Sequence, residues 1–115
     1  MDMNSILKNK INNKGETITV SYEKKINVKQ YETETLSATT SVVLDRDISG
    51  MERVYAETLL AAQLEYSIYV QAGYKGYVTQ AELTQRIKEL ETTMTAIVAK
   101  AQSVGIELNE FMMEA

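Results

Sequence analysis

Apolar and polar residues alternate with a period of two along two successive segments between Thr17 and Leu44, and beyond Met51 the spacing lengthens to that of a helix. In the first segment Ile18, Val20, Tyr22, Ile26 and Val28 share even parity, with Lys24 the exception. Thr17, Thr19, Ser21, Lys25 and Lys29 take the odd positions. Successive strand side chains point to opposite faces, so this pattern predicts one apolar and one polar face. The second segment repeats it, with Leu36, Ala38, Val42 and Leu44 against Thr33, Thr35, Ser37, Thr39 and Ser41. Abundant threonine suits a half-exposed pleated surface. The basic, tyrosine-flanked bend EKKINVKQYE joins the two into a long β-hairpin. A two-stranded ribbon is not stable alone in water, so its apolar face must lie on helices or on another subunit's ribbon.

Ser49-Gly50-Met51-Glu52 spells a capping box, and the helix it opens is expected to run to about Gly73. Its apolar residues form two sides: Met51, Val54, Tyr55, Leu59, Ala62, Tyr66, Tyr69 and Val70 on one, Leu60, Leu64 and Ile68 on the other. A helix apolar on two sides belongs between layers or between subunits. A second capping box, Thr79-Gln80-Ala81-Glu82, opens a helix that spaces Leu83, Ile87, Leu90, Met94, Ile97, Ala101 and Val104 by alternating fours and threes. That heptad seam pairs with the first helix in an antiparallel hairpin, with a symmetry mate, or with both. Gly105 ends this helix, and Ile106, Leu108, Phe111, Met112 and Met113 make an apolar tail expected to dock on the body or in a neighbour rather than stay exposed. The predicted class is α+β: a long two-stranded antiparallel β-hairpin, a two-helix antiparallel hairpin and a short C-terminal helix or tail. At 115 residues a single domain spanning 1–115 is expected, with 1–15 a flexible or loosely packed arm.

Composition narrows the chemistry more than it narrows the fold. The chain has no cysteine and no histidine, which removes disulfides, thiolate catalysis, the commonest metal ligand and the usual neutral-pH base. It also has no proline and only five glycines, which favours long continuous elements. No apolar run is long enough to cross a bilayer and the start lacks a signal-peptide centre, so a cytoplasmic location without membrane contact is expected. The net charge of −4 is uneven: residues 1–30 hold six lysines against Asp2, Glu16 and Glu23, while the remainder holds six basic and thirteen acidic groups. An acidic helical body argues against broad phosphate binding but leaves the hairpin as a local cationic surface.

Few groupings carry a chemical signal. Asp45-Arg46-Asp47 offers two carboxylates where a cation site needs more oxygens, and it lies at a helix start where the dipole accounts for acidic residues. No phosphate-binding glycine loop or nucleophile elbow occurs. A non-enzyme is expected, with no cofactor and no metal. Gly73-Tyr74-Lys75-Gly76-Tyr77 joins Tyr66 and Tyr69 in a tyrosine cluster, either a stacking surface for bases or a nucleotide, or a packed corner. The candidate ligand or partner residues are Tyr22, Lys24, Lys25, Lys29, Tyr31, Tyr74 and Tyr77.

The segment SYEKKINVKQYETET resembles the opening of a group of small, mostly uncharacterised proteins of phages and other mobile elements. There a strand ending in Val/Ile-Asn is followed by a short turn, an aromatic-Glu pair, a second strand and helices. The matching residues are Ser21, Tyr22, Ile26, Asn27, Tyr31 and Glu32, about a quarter of the chain is covered, and Val28-Lys29-Gln30 stands where a glycine-containing turn is expected. The resemblance implies a phage or mobile-element origin and carries over no functional residue. For a small, acidic, non-catalytic chain expected to be a homodimer or higher oligomer in a bacterial host cell, the favoured role is binding that counters a host defence. It would occlude a host effector protein or sequester a small signalling nucleotide. The rival roles are single-stranded nucleic-acid binding through the hairpin and structural assembly.

Overall fold

The structure, a computed structural model, describes residues 12–29 and 32–113. Strand β1 (Thr17–Lys29) and strand β2 (Glu32–Val43) form a two-stranded antiparallel sheet. The register runs from Thr17 opposite Val43 to Asn27 opposite Thr33, then shifts so that Lys29 meets Glu32. Val28 and Lys29 therefore belong to the strand rather than to the turn, and the connection at 30–31 lies outside the described residues. Every even position of β1 is buried or half-buried and every odd one is exposed. Lys24 obeys this parity, so it points to the helix side instead of adding to an outer cationic face.

Helix α1 (Gly50–Tyr74) begins at Ser49, whose hydroxyl accepts from the N–H of Glu52 at 3.0 Å, the bond that the capping box predicts. It ends at Tyr74, as expected within one residue, and the chain turns at Gly76, whose φ of +73° favours a residue without a Cβ. Gly73 serves a different need: a Cβ there would lie 2.5 Å from Leu83 Cδ2, so glycine lets the start of the next helix approach. Helix α2 (Gln80–Ser103) is capped by Thr79, which accepts from the N–H of Glu82 at 3.1 Å, and the chain turns out of it at Gly105, φ +81°. A single 3-10 turn, Asn109–Phe111, closes the described chain. The observed arrangement is the expected α+β one, a β-hairpin followed by a helical hairpin.

Helix α1 carries the rest of the fold, packing on both strands and on α2. This explains its two apolar sides, although Val54, assigned to one of them, is 60% exposed. At the base of the hairpin Ile18, Leu44, Ile48, Leu59, Leu60 and Phe111 form the larger core. Nearer the tip Ile26 and Leu36 pack with Ile68 and Ala72 in a smaller one. Burying each large apolar side chain stabilises by roughly 1.5–3 kcal/mol, so the base holds most of the stability. The heptad seam of α2 is only partly used: Leu90 and Ala101 are buried, and Val104 lies exposed beyond the helix end.

The expected arm is in part tied down. Asn13 is 1% exposed, its Nδ2 donates to the Ile48 carbonyl at 3.2 Å, and its Oδ1 accepts from the Ile48 N–H at 2.9 Å. The side chain thus satisfies both the N–H and the C=O of buried Ile48. Gly15 adds a backbone bond to the Leu44 carbonyl. Residues 1–11 of the expected arm lie outside the described residues. The C-terminal tail docks on the body as expected for Ile106, Leu108 and Phe111, but Met112 and Met113 remain 47% and 41% exposed.

Candidate functional site

Of the tyrosines that the sequence groups together, Tyr69 and Tyr77 face the ribbon near its tip, whereas Tyr74 is exposed. Tyr22 is half-buried on the helix side of β1, and its hydroxyl donates to Glu65 Oε1 at 3.0 Å. Burial and the Glu65 carboxylate push the Tyr22 hydroxyl up to about 12. Lys24 places its ammonium 5.0 Å from the centre of the Tyr69 ring, which Arg86 also approaches at 5.8 Å. Arg86 binds Glu65 at 2.6 Å and Glu89 at 2.9 Å, so these cations are already partnered.

Tyr77 donates its hydroxyl to Glu34, and Lys75 reaches the same carboxylate at 3.5 Å. The Tyr77 bond holds Glu34 below the usual carboxylate range and raises the Tyr77 hydroxyl in turn. Tyr74 is 90% exposed, while Lys25 and Lys29 stand on the outer face of the ribbon, across the sheet from Tyr22 and Lys24. Tyr31 lies outside the described residues. The structure thus brings Tyr22, Lys24 and Tyr77 to the helix side of the ribbon, where Tyr22 and Tyr77 pack against the same small core, and places Lys25 and Lys29 on the opposite face. The Asp45-Arg46-Asp47 run is engaged structurally: Arg46 bridges Glu52 and Glu110, and Asp47 accepts from the Lys14 N–H at 2.8 Å.

A different site emerges where α1, α2 and the tail meet. Tyr66 and Val70 of α1, Met94 and Val98 of α2, and Met112 and Met113 of the tail line an open groove. Met94 and Met112 belong to both halves of it, so the groove is continuous along the helical hairpin. Its lining is mostly apolar, and among the described residues Glu91 is the one charged side chain that borders it.

What fixes this groove is Gln63, 8% exposed in the middle of α1. Its Nε2 donates to the Phe111 carbonyl at 2.9 Å, and its Oε1 accepts from the Met113 N–H. One amide therefore grips the tail on both sides of Met112. Phe111, 1% exposed, anchors the same segment in the core, and the ion pair from Arg46 to Glu110 holds its other end. The tail methionines are presented at a fixed place while their side chains stay open to solvent. Methionine is flexible and polarisable, and it adapts to varied apolar partners.

Sequence reasoning placed Met94 in a seam and Met112 and Met113 in a tail, and missed Gln63 and Asn13 altogether. No spacing rule links α1 to a tail nearly fifty residues on, and a polar residue inside a helix reads as solvated. Set against protein-family models, curated proteins and solved structures, the chain matches none.

Proposed function

We propose that this chain is a non-enzymatic binding protein of a phage or mobile element, and that it occludes a host effector protein through the methionine groove. The observation that carries this reading is the Gln63 clamp, which holds two exposed methionines beside Met94 and Val98. Exposed apolar surface on a small protein marks a site of association. A groove between two helices and a tail accepts an amphipathic helix or an apolar loop of a partner.

The nucleic-acid reading draws less support, because single-strand binding needs aromatic faces and cations free on one surface. Tyr22 and Lys24 are engaged on the helix side, whereas Lys25 and Lys29 face away from them.

The test is the plating efficiency of a defence-sensitive phage on host cells that express the chain. Wild type is expected to raise plating, and Met94→Asp and Met112→Asp, each with an unchanged circular dichroism spectrum, are expected to abolish the gain. A gain that survives both substitutions, or is lost with Lys25→Gln and Lys29→Gln instead, overturns the groove reading. No gain from wild type in any defended host overturns the anti-defence role.

A further inference from the structure

The two edges of the hairpin differ in chemistry. In a two-stranded sheet both strands are edges, and alternate residues of each turn N–H and C=O away from the other strand. Strand β1 carries Glu23, Lys24, Lys25 and Lys29, the kind of charge that keeps another strand from adding to an edge. Strand β2 carries Glu32 and Glu34 at its start and then no charge from Thr35 to Val43. That run, TLSATTSVV, is rich in β-branched residues and holds neither proline nor glycine. Among the described residues no backbone group from outside the hairpin bonds to it.

We propose that a second copy of this chain adds along Thr35–Val43, antiparallel about a two-fold axis at Thr39, so that two hairpins join into one four-stranded sheet. Charge selects both the occupant and the edge. Pairing β2 with itself sets Thr39 opposite Thr39, Ser37 opposite Ser41 and Thr35 opposite Val43, with no like charges facing. Pairing β1 with itself concentrates the lysines of two copies along one seam. Hydroxyl pairs of the same kind already form within the hairpin, Thr19 with Ser41 at 3.0 Å and Ser21 with Thr39 at 2.9 Å.

The register also preserves side-chain parity. Leu36 falls opposite Val42 of the second copy, and both stay on the helix-covered side. Because the contact is isologous and leaves only the charged β1 edges at the rims, assembly closes at two chains instead of growing into a fibre. Four strands also relieve the marginal stability of a two-stranded ribbon. This inference stands apart from the groove, which each copy keeps on its helical hairpin.

The experiment is native mass measurement on the full chain at micromolar concentration, paired with amide hydrogen exchange. Wild type is expected at twice 12.9 kDa, with the outward amides of Thr35–Val43 protected and those of β1 exchanging freely. Thr39→Lys, which sets two cations opposite each other at the axis, is expected to give one chain and to lose that protection. Ser21→Lys, on the same face of β1, is expected to leave the mass at two chains. A monomeric wild type, or a dimer that Thr39→Lys leaves intact, overturns the proposal. So does protection of β2 that persists in a monomer, since residues 1–11 or another segment would then occupy the edge. Hydrogen exchange on wild type decides the matter even if Thr39→Lys fails to fold.

Discussion

The base and the tip of the hairpin are built from the same alternating pattern, yet they are held by different forces. At the base Ile18, Leu44 and Ile48 enter a core closed by Phe111 and by the Asn13 clamp. At the tip Ile26 and Leu36 meet, among the described residues, Ile68 and Ala72 as buried partners, and tyrosine–carboxylate pairs take over around them. Apolar burial is insensitive to pH and salt, whereas half-exposed charged pairs contribute little and respond to both. One ribbon thus has a firm end and a tunable end.

The largest expected effect falls at the base. Phe111→Ala should lower unfolding free energy by about 3–5 kcal/mol and release the tail, measured by urea denaturation. A loss of well under ~1 kcal/mol would mean that the tail is dispensable and that base and tip are not so different. Next, Asn13→Ala leaves a buried N–H and C=O of Ile48 without partners and should cost about 1–3 kcal/mol by the same measurement. Asn13→Asp should recover less than wild type, because a carboxylate has no donor for the Ile48 carbonyl.

The smallest effect belongs to the tip and is seen in pH dependence. The Tyr22 hydroxyl is raised from 10.0 to about 12, so the native state holds this proton more tightly than the unfolded chain. Its contribution is fully present below pH 10 and is lost as pH climbs toward 12. Tyr22→Phe should therefore narrow its stability gap to wild type across that window. A constant gap from pH 9 to 12 would place Tyr22 outside the tunable end.

Strand parity made the ribbon legible from sequence, and two capping boxes located both helix starts to the residue. Where the reading departed from the structure, one signal had two physical uses. Gly73 reads as a helix stop because glycine ends helices, but it is there for the approach of Leu83, and Gly76 makes the turn. Lys24 reads as surface charge, but its parity directs it to Tyr69. The groove was illegible for another reason: its three walls come from distant parts of the chain, and the tail is fixed on α1 through Gln63, a side chain with no periodic signature.

The placement of α1 between the hairpin and α2 sets how the molecule opens. Helix α2 buries only Leu90 and Ala101 completely among 24 residues, whereas α1 buries nine side chains in 25. Local opening follows burial, so α2 is expected to open before the hairpin leaves α1, with Gly76 in the turn between the two helices, and faster amide exchange in α2 than in the ribbon would show it. Such opening takes Met94 and Val98 away from Met112, so the groove exists only while α2 is closed. A ligand that bridges α2 and the tail would act as a latch on that opening, slowing exchange of α2 amides while leaving those of the ribbon unchanged.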